Sequence, residues 1–140
     1  MEHSIDRAPD VEVIFRFNGT RRGPVADGYR PAHRIREDYL TTGIHHYFDV
    51  ETVAPDGEAR GTITFITPES YPHTLWPGKT IDICEGERVV GTATVERVLN
   101  PVLILLLIKI ALHFKLLYAI IFLGVYVWQR DLNSARMRFW

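Results

Sequence analysis

The chain has 140 residues, with 16 Lys and Arg against 17 Asp and Glu, a formal net charge of −1 and one cysteine. That length holds one compact domain, near-neutrality excludes nucleic-acid binding through bulk positive charge, and a lone thiol excludes an intramolecular disulfide framework. The neutrality hides an asymmetry: residues 1–100 carry eleven Arg and Lys against sixteen Asp and Glu, a net of −5, whereas residues 101–140 carry five against one, a net of +4.

Residues 1–10, MEHSIDRAPD, have no basic region followed by an apolar stretch, so they read as a disordered lead-in and not as a secretory signal. With no signal and a single Cys84, a reducing, cytosolic setting is expected for the first hundred residues. Strand patterns begin at Val11. In VEVIFRF, Val11, Val13, Phe15 and Phe17 share one face. After the turn-rich NGTRRGP, a short strand is expected over Tyr29–Ile35, and another within Gly43–Val53 around IHHYFDV. The turn APDG (Ala54–Gly57) leads to GTITFITP (Gly61–Pro68), where Ile63, Phe65 and Thr67 alternate with Thr62, Thr64 and Ile66. WPG (Trp76–Gly78), the strand KTIDICE, the tight turn EGER and the strand VVGTATVERVL complete the series. Six or so short strands at such spacing predict an all-β antiparallel barrel or sandwich over residues 11–100.

Pro101 marks a change of vocabulary. All eight prolines and nine of the ten glycines lie at or before it. Val102 to Trp128 is apolar, with only Lys109, His113 and Lys115 charged or chargeable. About 20 mostly apolar residues suffice to cross a bilayer as a helix, so residues 102–128 are expected to form a single membrane span. In that arrangement Lys109 and Lys115 snorkel to one interface and Tyr126 and Trp128 belt the other. The barrel then lies on the cytoplasmic side, and residues 129–140 form a short basic tail with Arg130, Arg136 and Arg138. A helix buried against a partner protein, or a tail foreign to the barrel, are the alternatives.

Several stretches in order carry a resemblance: GPVADGYRPAHRI (Gly23–Ile35), Gly61–Thr67, PGKTIDI (Pro77–Ile83) and CEGERVVGTATVERVL (Cys84–Leu99). Residues 11–99 thereby resemble the C-terminal β-barrel, the third domain, of translation elongation factor Tu. The resemblance implies a six-stranded antiparallel barrel, which in the family packs on the GTPase domain and touches the T-stem of aminoacyl-tRNA. Gly28, Pro31, Gly86 and Gly91 fall at its structural positions. Gly28 and Gly86 suit a positive φ, Pro31 the start of a strand, and Gly91 a bulge or close backbone approach. The family's GTPase activity belongs to another domain. No G-x-x-x-x-G-K-[ST] occurs here, so neither nucleotide nor cofactor is expected.

Among the soluble residues, Arg21, Arg22, Arg30, Arg34 and Arg36 cluster with Tyr29 and His33 interleaved. Such a basic, partly aromatic run is the candidate surface for RNA, tRNA or a protein partner. His45, His46 and Asp49, with His33, His73 and Cys84, raise a metal reading. Adjacent histidines in a strand face opposite ways, however, and no CxxC, HxH or HExxH spacing occurs, so no metal is expected. Cys84 reads as a small packed residue, and Glu85 with Glu87 as a solvated hairpin. The expectation is a non-enzymatic binding module that recognises a protein at a membrane. An RNA- or tRNA-binding module using the arginines is the alternative, and a vestigial translation-factor fragment a third.

Overall fold

The computed structural model describes residues 6–137, with side chains described outside 106–113 and 131–137. Two compact units divide it at Leu105 and Leu106. The first contains β1 (Val11–Phe17), β2 (Val25–Ala26), β3 (Ala32–Arg36), β4 (Tyr39–Tyr47), β5 (Thr52–Val53), β6 (Glu58–Phe65), β7 (Thr80–Glu85) and β8 (Arg88–Val98). Six of these close a barrel in the order β1-β6-β4-β3-β7-β8, and β2 pairs with β5 in a separate two-stranded sheet. Every barrel pairing is antiparallel, with β8 returning to β1. The barrel expected from the sequence is therefore present.

Alternation builds the core. Val11, Val13, Phe15 and Phe17 of β1 are all buried, as are Ile63 and Phe65 of β6, Ile81 and Ile83 of β7, and Val90, Ala93 and Val95 of β8. Val25 and Val53 bring the small sheet into the same core, and Tyr71, Leu75 and Leu103 join it from outside the strands. The β7–β8 hairpin turns at Gly86, whose φ of +61° is left-handed and open to glycine without steric penalty. Gly91 answers the expected close approach: a Cβ there would lie 2.5 Å from the Arg16 carbonyl oxygen. The register slips just beyond it, since Ile83 faces Gly91 while Cys84 faces Val89.

The lead-in is part of the fold from Arg7 onward, so the disorder expected over residues 1–10 does not extend to its second half. Asp10 is fully buried. Arg7 grips it with two hydrogen bonds of 2.8 Å, the Phe65 N–H donates to it at 2.7 Å, and Asn100 Nδ2 donates at 2.9 Å. Four hydrogen bonds from three partners satisfy a carboxylate that burial would otherwise penalise. Residues 1–5 lie outside the described residues.

The second unit is α1 (Leu106–Met137). The helix begins at Leu106 and not at Val102, because Pro101–Leu103 forms a short 3-10 turn and Leu103 is wholly buried in the barrel unit. Among the described residues, no helix is long and apolar enough to cross a membrane. The side chains of Lys109, His113 and Arg136 lie outside the described residues, as does Arg138.

Candidate functional site

The arginine-rich run is held by partners at several places on the barrel. At the β7–β8 hairpin, the Arg21 guanidinium lies over the Tyr29 ring, 5.1 Å from its centroid. Arg21 and the Tyr29 hydroxyl both donate to Glu85, and Arg88 donates to it at 3.0 Å. The hydrogen bond from Tyr29 chiefly holds the Glu85 carboxyl below its ordinary pKa, with Arg21 and Arg88 assisting. Burial first, then the bond to Glu85, raises the Tyr29 hydroxyl. Arg21 also donates to the Gly23 and Pro24 carbonyls at 2.7 and 3.0 Å. Glu85 is thus the hub of this cluster. A solvated hairpin carboxylate was expected there, and no local spacing announces its two long-range donors, Arg21 and Tyr29.

Further along, Arg34 points outward from β3, 3.9 Å from Asp82, and donates to the Glu37 carbonyl at 3.1 Å. Arg36 lies over the Tyr39 ring at 5.5 Å. Arg22 and Arg30 are exposed, and Arg30 precedes β3. His33 takes the other parity and is fully buried. Of the seven residues, His33 is therefore not on the outer surface.

Beside Arg34 the outer wall becomes apolar. Leu40, Thr42 and Ile44 alternate outward along β4, with Leu40 paired across from Arg34. Ile66 continues β6 and donates its N–H to the Thr42 carbonyl at 3.2 Å. Leu40 is 46% exposed and Ile66 48%. Ile44 faces Thr64 across the same pair of strands. This strip lies on a continuous wall, because a closed barrel presents no free strand edge.

The interior holds the other notable group. On β4 the inward positions are Thr41, Gly43, His45 and Tyr47, and His33 enters from β3. His33 Nε2 lies 2.8 Å from His45 Nε2. His45 Nδ1 is 2.9 Å from the Tyr47 hydroxyl, and His33 Nδ1 is 3.4 Å from the Thr41 carbonyl. Gly43 provides the space for this pair: a Cβ there would stand 3.0 Å from His33 Cε1 and 2.6 Å from Ile63 Cγ2. The carbonyl of Thr41 can only accept, so His33 carries its proton on Nδ1. Its Nε2 is then an acceptor, which requires Nε2–H on His45 and leaves His45 Nδ1 to accept from Tyr47. The result is a directed file, Tyr47 to His45 to His33 to Thr41, in which both imidazoles are neutral. Burial pushes His33 down to about 4, with the Thr41 carbonyl opposing weakly. Burial and then neighbouring His33 push His45 well below the ordinary value.

The histidines weighed as ligands go separate ways. His45 is buried and His46 exposed, the latter 2.9 Å from Asp27. His73 donates from Nδ1 to the Ile104 carbonyl at 2.8 Å. Cys84 is buried, as expected of a packed residue. Among the described residues, no three His, Cys, Asp or Glu side chains gather as a metal site. Sequence reasoning missed Thr41, Gly43 and Tyr47 as companions of the histidines. The available signal was two histidines at inward parity opposite one another.

No known protein-family model matches the chain.

Proposed function

We propose that this chain is a non-catalytic binding module whose barrel, of the elongation factor Tu C-terminal type, recognises a protein partner and whose C-terminal helix tethers it to a membrane. The observation that supports a protein partner is the outward strip of Leu40, Ile44 and Ile66, with Arg34 at its border. Exposed aliphatic residues beside a cation suit an apolar partner surface edged by carboxylates. With the barrel closed, a partner docks on this wall and does not add a strand to it. The proposal includes no cofactor and no nucleotide.

The arginines favour a protein over RNA. Arg21 is directed to Glu85 and Arg34 lies near Asp82, so their charge is already balanced in part. A polyanion would have to displace those carboxylates. A filter-binding titration at low salt is expected to show RNA retention unaffected by changing Arg30, Arg34 and Arg36 to Ala. A loss of retention confined to that triple variant would favour the RNA reading.

The helix supports the tether. Phe114, Leu117, Tyr118, Leu123, Tyr126 and Val127 are all exposed. At about 100° per residue these side chains lie all round the helix, a pattern suited to lipid or to the interior of a larger assembly. Alkali washing of a membrane fraction should leave the full-length chain in the pellet, and extraction would remove the tether from the proposal. For the barrel, a photo-cross-linker replacing Leu40 or Ile66 is expected to capture a protein that one replacing Glu96 does not. Equal capture from all three positions would sink the proposed docking face.

A further inference from the structure

The His33–His45 pair has no role in that proposal. Its rings lie 5.0 Å apart between centroids, and both are fully buried. Phe15 of β1 lies 4.2 Å from the His45 ring, and Tyr29 meets it edge-on at 5.3 Å. Phe65 of β6 meets His33 edge-on at 5.6 Å. The titratable groups beside the pair are therefore Tyr47 and Tyr29 on the His45 side, with Tyr71 reached through the Thr41 hydroxyl at 3.1 Å. Charged groups act on those tyrosines and not on the imidazoles: Asp27 and Arg21 on Tyr47, Glu85 and Arg21 on Tyr29, and Asp10 and Glu69 on Tyr71. Among the described residues, no carboxylate is hydrogen-bonded to either ring to support an imidazolium.

The geometry allows the pair no easy second proton. A first added proton must go to His45 Nδ1, turning the Tyr47 hydroxyl round and leaving an uncompensated charge in the core. A second would place one N–H on each Nε2, and those atoms are 2.8 Å apart. Two donors cannot share that gap, so the rings must separate. Separation parts β3 from β4, which pair here through His33 opposite Thr41 and Ala32 opposite Thr42.

We propose that the His33–His45 pair is an acid-operated release: β3 and β4 remain closed around two neutral imidazoles, and the barrel opens when both take up protons. In the open chain each histidine is protonated below its ordinary value of about 6.5, whereas His33 in the barrel resists protonation down to about 4. Stability from the pair is therefore complete above pH 6.5 and declines as the pH falls between those limits. Two protons bound on opening make the unfolding constant rise about a hundred-fold per pH unit in that interval.

The test uses the full-length chain in detergent micelles, with urea unfolding followed by near-ultraviolet circular dichroism from pH 6.5 to 4.5. The constant should rise much more than tenfold per pH unit, and the excess should vanish in a His33→Gln/His45→Gln variant. A rise of tenfold or less, or an equal slope in the variant, overturns the proposal. Should the variant not fold, imidazole nitrogen shifts in the unchanged protein decide. One Nδ1–H and one Nε2–H tautomer, both lost in the step that collapses the barrel amide dispersion, support the release. Protonation of either ring while that dispersion persists overturns it.

Discussion

At Asp10 a fully buried carboxylate joins three parts of the chain that are remote in sequence: Arg7 before it, Phe65 at the end of β6 and Asn100 after β8. Removing it strands a part-buried guanidinium and a backbone N–H together. Asp10→Ala should therefore lower stability by roughly 3 kcal/mol, measured by urea unfolding at pH 7. Asp10→Asn, which keeps the shape, should lose less. Glu85 behaves differently because it is partly open to solvent and its donors come from both charged and neutral groups. Its folded pKa is depressed, with the Tyr29 bond as the largest cause. Its contribution is thus present above its ordinary value of about 4.5 and lost as the pH falls through the lower folded value. Glu85→Gln should cost about 1 kcal/mol at pH 7 and flatten the stability profile only below pH 4.5. Of the two, only the histidine pair acts between pH 6.5 and 4.5, so one pH series distinguishes them.

Among the elements, β4 shows best how tight the interior is. Gly43 stands opposite Phe65 in the register, and the imidazole of His33 occupies the room its missing side chain leaves. Gly43→Ala must push His33 or Ile63 aside, and either movement disturbs the hydrogen-bonded file. A loss of roughly 2–3 kcal/mol is expected, with the imidazole shifts of His33 and His45 moving well beyond those of the other histidines. The strands were legible wherever apolar residues alternate without interruption, as in Val11–Phe17 and Ile63–Phe65. The sequence reading placed the strand around His45 too late, at Gly43–Val53 instead of Tyr39–Tyr47. The β3–β4 turn falls at Glu37 and Asp38, where neither glycine nor proline marks it. The two-residue strands β2 and β5 are too short to show any period. Parity alone placed His33 inside and its neighbours Arg34 and Ala32 outside. His33 thus leaves the basic run, and the histidine file was readable only by treating two polar residues as core.

For the whole molecule, the boundary between barrel and helix follows contacts and not composition. Val102–Leu105 is as apolar as the helix that follows, so composition does not divide them. Backbone pairing does so. The His73 N–H donates to Val102, the Leu75 N–H to Leu103 and the Leu105 N–H back to Leu75, each at 2.9 Å. Leu75 and Ile104 form a parallel bridge, and Leu103 has no exposed surface. Residues that fill the end of a barrel and residues of an apolar helix are drawn from the same amino acids, and here the hydrogen-bond partners of the backbone tell them apart. A chain ended after Leu105 keeps every one of these contacts and is expected to unfold in a single cooperative urea transition with a well-dispersed amide spectrum. A chain ended after Leu99 loses Leu103 from the core, the pairing along Leu75 and the Asn100 bond to Asp10. Loss of a buried leucine alone removes about 2–5 kcal/mol, so the shorter chain should have its urea midpoint lowered severely or not fold at all. Equal midpoints for the two truncations would mean that residues 100–105 belong with the helix and not with the barrel.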